Sequence, residues 1–398
     1  MGERDFNRSG EVPGDTLALA IVLLLAAAMR IFLNNIVDYA TPADESTYLA
    51  FAKTLVAGGI GHYRDLVVAF LDDSDMWLFP SPLRWSWIGT TSIVASIAGQ
   101  ATFRLIATIS TWAGIASVVL TWWIGRELFD SPTAIAAATL AATSPLQLAL
   151  GRRALADEFF CMLVLASLAA LIRYAKTKHF GWLIAWVLCS TFAFGAKEQY
   201  LLIYPVVLLF WWLQTRTIDW KTLLAWALPC FLYFAVFCLL AHDVTSFFRI
   251  AYRTTSTIGA EYPEQYQNGP PQRVIVDLLA VAPLVTLAMI AGAGWFAARA
   301  RAMSRNQRHL FVLLAGFLVL HALLSSKNLR YLVSADGPAR LFAATFLCTA
   351  VHDRRWVTAL IVINCVIELL LFRTIFLVGN VYDPTTSELF RTLKMVPH

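Results

Sequence analysis

Charge is what this chain has least of. Asp, Glu, Lys and Arg make up 14% of its 398 residues, and 59% are hydrophobic, whereas a soluble domain carries roughly 25% charged residues. The shortfall runs along the whole length, which excludes a soluble globular protein and indicates one that crosses a membrane many times. Disulfide and zinc frameworks are missing too. Cys161, Cys189, Cys230, Cys238, Cys348 and Cys365 all fall inside apolar segments without the spacing of either, and read as small buried hydrophobes. There is no HExxH, no CxxC, no Walker loop and no GxGxxG in a strand–helix setting, which argues against a zinc peptidase or an ATP-driven pump. Neither an internal repeat nor a low-complexity tract is present. The net charge of +5 is small and comes from short basic loops, so nucleic acid is not an expected partner.

What the chain does have is apolar runs. At roughly 20 residues per crossing, they predict an all-α polytopic protein with about eleven spans. These lie near 16–36, 104–126, 132–150, 155–174, 180–196, 199–213, 222–241, 274–297, 309–326, 338–352 and 356–378. Residues 1–378 then form a single transmembrane domain, with outer loops at about 37–103 and 242–272, and 379–398 form a short polar tail. The first run lacks a small-residue cleavage site and reads as an uncleaved span. The segment Leu83 to Ala98 reads either as a span or as a shallow, re-entrant helix. The basic residues decide: with it left out, Arg126, Arg173, Lys176, Lys178, Arg216, Lys221, the four arginines from Arg299 to Arg308, and Arg354 and Arg355 share one side with Arg4 and Arg8. The positive-inside rule makes that side cytoplasmic. The acidic loops, and the C-terminus, then face outward from an inner or plasma membrane. Trp77, Trp85, Trp87, Trp122, Trp123, Trp211 and Trp212 cluster near span ends as interface anchors. The Pro/Gly-rich stretch Gly259 to Pro271 reads as a loop.

The first outer loop opens with Asp38-Tyr39-Ala40-Thr41-Pro42-Ala43-Asp44-Glu45-Ser46-Thr47-Tyr48. Thr41 fits a helix N-cap, with Pro42 at the first helical position. Tyr48, Leu49, Phe51, Ala52, Leu55 and Val56 then recur at helical spacing until Gly58-Gly59 ends the helix. Such an amphipathic helix lies on the membrane surface, with Asp44 and Glu45 in its first turn at the water–lipid boundary. Those carboxylates either complement the helix dipole or carry chemistry.

Three further charged groups fall at outer span ends. They are Arg152-Arg153 with Asp157-Glu158, Lys197-Glu198-Gln199, and Lys327-Asn328-Leu329-Arg330-Tyr331. Each has a plainer reading: Arg152 and Arg153 as snorkelling residues, Lys197-Glu198 as a neighbouring pair in a tight turn, Arg330-Tyr331 as an interface anchor. If these groups and Asp44-Glu45 converge, they make a cavity with carboxylates beside cations, an arrangement suited to transfer from a lipid-phosphate donor. Arg and Lys hold the phosphate, and a carboxylate takes a proton from an acceptor hydroxyl. His62, beside Tyr63 and Arg64, is more often structural than a ligand; it, Glu158 and Arg84 are secondary candidates.

The order Asp44-Glu45-Ser46-Thr47-Tyr48, Arg152-Arg153-Ala154-Leu155-Ala156-Asp157, Lys197-Glu198, Arg330-Tyr331 resembles the GT-C superfamily of membrane glycosyltransferases. The nearest branch is that of the protein O-mannosyltransferases and aminoarabinose transferases (family 39). The likeness runs from about residue 16 to 350. It implies a sugar transferred, with inversion, from a polyprenyl-phosphate donor to an acceptor on the extracytoplasmic side. Asp44 takes the role of general base with Glu45 its neighbour, Asp157 helps organise the site, and Arg152, Arg153, Lys197, Arg330 and Tyr331 contact the donor phosphate. No cofactor is required, and the carboxylates permit a divalent metal such as Mg or Mn. The acceptor, whether protein, lipid or glycan, stays open. Many relatives carry a sizeable soluble C-terminal domain or extra spans that this sequence does not show. The alternative class is a secondary transporter or flippase, which predicts broken helices near mid-membrane and inverted repeats; a catalytically dead scaffold on the same fold is the third.

Overall fold

The computed structural model describes residues 13–35, 43–256, 269–324 and 327–379. Among them there are helices and turns but no strand, as an apolar chain in lipid requires unless it closes a barrel. In chain order the helices are α1 (Pro13–Asn35), α2 (Ala43–Gly58), α3 (Tyr63–Asp72), α4 (Trp85–Ala98), α5 (Phe103–Leu128), α6 (Ser131–Ala142), α7 (Pro145–Gly151), α8 (Asp157–Thr177) and α9 (Phe180–Ala196). They continue with α10 (Tyr200–Thr215), α11 (Trp220–Ala241), α12 (Val244–Ser256), α13 (Arg273–Val281), α14 (Pro283–Ala298), α15 (Arg305–Leu323), α16 (Val333–Ala350) and α17 (Arg354–Leu371).

Every apolar run of the sequence corresponds to a helix or a broken pair of helices. Among the described residues six stretches are long and apolar enough to cross a membrane, seven if the bent pair α6–α7 is one span, and α9, α10 and α14 are shorter apolar helices. The expected count of eleven is therefore not established. Two expected spans are interrupted. Run 274–297 breaks at Ala282, where Pro283 starts α14. Run 132–150 bends by 54° between α6 and α7, because Ser144 caps α7, accepting from the Gln147 N–H, with Pro145 next.

At that break the last carbonyls of α6 lose part of their helical ladder, and two arginines donate to them. Arg30 of α1 donates to the carbonyls of Ala142 (2.9 Å) and Ala141 (3.1 Å). Arg340 of α16 donates to that of Leu140. Both guanidiniums are buried and meet a network the sequence reading missed. Gln147 joins Arg30 to Asp336. Arg340 pairs with Asp336 at 2.9 Å and with Glu368 of α17 at 2.8 Å, while Thr143 donates to Glu368.

α8 is the centre of the bundle, with 72% of its apolar window buried, against 17% for α1 and α11 at the periphery. α5 and α6 approach closely because Gly125 has no side chain: a Cβ there would lie 2.9 Å from the Ala134 Cα. The first loop folds as α2, α3 and α4. On α2, Tyr48, Phe51, Ala52 and Leu55 are buried, matching the expected stripe, and Gly59 follows with φ +73°. α3 is a second amphipathic helix, burying Tyr63, Leu66, Val67, Phe70 and Leu71. α4 has 14 residues, about 21 Å of helix at 1.5 Å each, short of a ~30 Å hydrocarbon core. It docks on the end of α9, where Ser86 donates to the Phe192 carbonyl at 2.7 Å. The proposed cap Thr41, the residues Gly259 to Asn268 and the tail from 380 onward lie outside the described residues.

Candidate functional site

The four charged groups singled out in the sequence come together. α2 supplies Asp44 and Glu45 from its first turn. The bend at α6–α7 delivers the turn 152–156, after which Asp157 and Glu158 open α8. Lys197 and Glu198 lie in the turn between α9 and α10. Arg330 and Tyr331 lie in the 3-10 turn Leu329–Leu332 before α16, whose N-cap Asn328 accepts from the Arg330 N–H at 2.9 Å.

At the centre is an alternating chain of charge. Arg330 Nη2 donates to Asp44 Oδ2 (2.9 Å) and to Asp157 Oδ2 (3.1 Å). The other oxygen of Asp157 pairs with the Lys197 ammonium, which lies 4.9 Å from the centroid of the Tyr331 ring. Exposure separates the two carboxylates: the side chain of Asp44 is 29% exposed and that of Asp157 1%. Asp44 Oδ1 has no hydrogen-bond partner among the described residues. Burial draws the Lys197 ammonium below its ordinary pKa, with Asp157 opposing that shift.

Glu45 sits differently. It is fully buried, and Arg153 grips both its oxygens, from Nε at 2.7 Å and Nη2 at 2.6 Å, while the Ala154 N–H donates to Oε1 at 3.0 Å. This bidentate pair fastens the first turn of α2 to the turn before α8. Arg152 is buried in that same turn. Arg84 donates from Nε to Glu198 (2.8 Å) and from Nη1 to the Tyr48 hydroxyl (2.7 Å), and Ser81 donates to the other oxygen of Glu198. Burial would raise the Glu198 carboxyl, but Arg84, with the Ser81 hydroxyl, outweighs it and holds the group below its ordinary value.

Two secondary candidates stand apart from this chain of charge. Glu158 is fully buried on the Arg30 side: a Cβ on Gly114 would lie 3.1 Å from Arg30 Nε and 3.4 Å from Glu158 Cγ. His62 pairs with Asp65 at 2.8 Å, both more than half exposed, in the turn after α2. Among the described residues no three His, Cys, Asp or Glu side chains gather as metal ligands. The site's own carboxylates each face a guanidinium or an ammonium group.

Residues 81–241 match the family described as dolichyl-phosphate-mannose-protein mannosyltransferase, short of half the chain. A putative mannosyltransferase of Bacillus subtilis, YycA, is 28% identical over 200 residues, which is 50% of this chain and 28% of YycA. Among solved structures, ArnT from Cupriavidus metallidurans in the apo state superposes with a TM-score of 0.56 at 15% identity, covering 87% of this chain and 61% of ArnT. ArnT bound to undecaprenyl phosphate gives 0.54 at 15% identity, with 85% and 60% covered. The oligosaccharyltransferase AglB of Archaeoglobus fulgidus, in complex with an inhibitory peptide and a dolichol-phosphate, gives 0.58 at 11% identity, with 97% and 60% covered. The chain has the GT-C fold. It spans under two thirds of the length of these relatives. Within the GT-C frame the charged cluster is formed by the first-loop helix α2, the start of α8, the turn after α9 and the turn before α16. Sequence reasoning missed Tyr48 and Ser81 as partners of the Arg84–Glu198 pair. The signal available was the placement of both in the same first loop as Arg84.

Proposed function

We propose that this protein transfers a sugar from a polyprenyl-phosphate donor to a nucleophile, such as an acceptor hydroxyl, on the extracytoplasmic side of the membrane. The acceptor oxygen attacks the anomeric carbon from the face opposite the phosphate, and the bond from that carbon to the phosphate oxygen breaks. The electron pair leaves with polyprenyl phosphate, Asp44 takes the acceptor's proton, and the anomeric centre inverts. Arg330 and Lys197 neutralise the departing phosphate, which needs charge stabilisation more than a general acid. Asp157 spaces those two cations, and Glu45 with Arg153 fixes the turn that carries Asp44. The GT-C fold, the matching family and the undecaprenyl phosphate held by ArnT support the lipid donor.

The observation that carries this reading is the contrast between Asp44 and Asp157 on one guanidinium. The buried carboxylate is engaged through both oxygens, whereas the accessible one keeps Oδ1 for a proton. The test is release of polyprenyl phosphate from a panel of polyprenyl-phosphate sugars by the purified chain and by Asp44→Asn. Release by the wild type and not by the variant is expected. Equal release by both would remove Asp44 from the chemistry.

The bent pair α6–α7, ringed by buried charge, is the feature that favours a transporter or flippase. Arg30, Arg340, Asp336 and Glu368 are occupied in capping α6 or pairing with one another. Donor carried across vesicles without cleavage, in the same assay, is the outcome that reading requires.

A further inference from the structure

Beside the charged chain lies a neutral one. The Gln199 amide nitrogen donates to the Tyr331 carbonyl and meets Nε2 of His321 on α15. An amide nitrogen only donates, so His321 Nε2 is the acceptor. Its other ring nitrogen, Nδ1, is 2.6 Å from the Phe317 carbonyl, one turn back, and therefore carries the proton. Each choice fixes the next: Phe317 selects the tautomer, the tautomer fixes which way the Gln199 amide faces, and the amide holds the Tyr331 backbone. Both side chains are buried.

Placement distinguishes this pair from ordinary interior packing. Gln199 comes two residues after Lys197, and Tyr331 directly follows Arg330. The two hydrogens of one amide go to two different elements, α15 and the Leu329–Leu332 turn, and neither is its own. The pair thus ties the turn bearing Lys197 to the turn bearing Arg330 by a route independent of Asp157. It does so without charge, so it holds whatever ion lies between the two cations.

We propose that Gln199 and His321 are positioning residues that set the separation of Lys197 from Arg330, and with it the seat of the donor's phosphate. This rests on the function proposed above. A seat of fixed width favours a lipid that ends in phosphate over the same lipid ending in a hydroxyl. That preference is the quantity the pair controls.

The experiment measures binding of undecaprenyl phosphate and of undecaprenol to the full chain in nanodiscs. The wild type is compared with Gln199→Leu, His321→Leu and His321→Gln, and thermal unfolding is recorded for each. The wild type should prefer the phosphate. Both leucine variants should lose about tenfold of that preference, the worth of one buried hydrogen bond, with undecaprenol affinity unchanged. His321→Gln restores an acceptor opposite Gln199 and should recover most of the preference. A wild type with no preference would overturn the phosphate seat itself, and this inference with it. A wild-type preference that the leucine variants keep would overturn the positioning role alone. Equal losses for both lipids alongside a lowered melting temperature would reduce the pair to a structural one, and overturn it as well.

Discussion

Arg153 holds the fully buried Glu45 carboxylate by two parallel N–H···O bonds. Removing one member leaves the other charged and buried, at a cost of about 3–5 kcal/mol. Glu45→Ala should therefore unfold at a clearly lower temperature in detergent, and Arg153→Met likewise. The double variant should lose less than the two single losses combined. Additive losses would show that the two residues do not act as a pair.

Asp44 and the incoming phosphate compete for the same guanidinium nitrogen of Arg330 under the proposed mechanism. Asp44→Asn should bind undecaprenyl phosphate more tightly than the wild type, by roughly fivefold, the ~1 kcal/mol of a part-exposed ion pair. Its turnover should be lost and its melting temperature nearly unchanged. Weaker phosphate binding by this variant would mean that Asp44 helps to hold the donor.

The Glu198 carboxyl, held below its ordinary value by Arg84, ties stability to pH. A group whose folded value lies below its unfolded one stabilises fully above the unfolded range, and loses that contribution as pH falls through the folded value. The wild-type melting temperature should therefore fall on acidification below the carboxylate range. Glu198→Gln should melt lower at neutral pH and show a flatter acid limb. Parallel curves for the two proteins would remove Glu198 from the acid dependence.

Arg340 is fully buried between Asp336 and Glu368 and also caps α6. Arg340→Met leaves two carboxylates unpaired in the interior, and should cost at least about 3–5 kcal/mol. Arg340→Met combined with Glu368→Leu and Asp336→Leu should recover part of that loss, read as folded yield and melting temperature.

The charged cluster was legible because acidic and basic residues stand out against an apolar chain, and because those at outer span ends had to lie on one side. Asp44, Asp157, Lys197 and Arg330 were each visible that way, although nothing in their spacing revealed that one arginine bridges two of them. Glu45 carries the same charge as Asp44 and is its neighbour, and only burial tells them apart. The interior network stayed hidden because the late apolar run begins only near residue 338, which leaves Asp336 outside it and Arg340 as a lone charge at its start. The bend was signalled by Ser144-Pro145, a cap followed by a first-turn proline, but the unbroken apolar run around it masked the signal. His321 gave no sign at all, and Gln199 stood out only as the neighbour of Lys197 and Glu198: neutral polar residues are common at span ends, and the meaning of this pair lies in a partner 122 positions away.

The arginine caps on α6 also say something about how such a chain is made. The Leu140 carbonyl meets its arginine 200 positions downstream, and Thr143 meets Glu368 225 positions downstream. A ribosome that has just delivered α6 and α7 to the membrane leaves an exposed kink, with Arg30 as its one early partner among these. The turn bearing Arg153, which leads into Asp157 and α8, follows that kink. The kink's surroundings are complete only once α16 and α17 supply Arg340 and Glu368. A chain that stops before α16 therefore lacks the guanidinium that the Leu140 carbonyl meets in the finished protein.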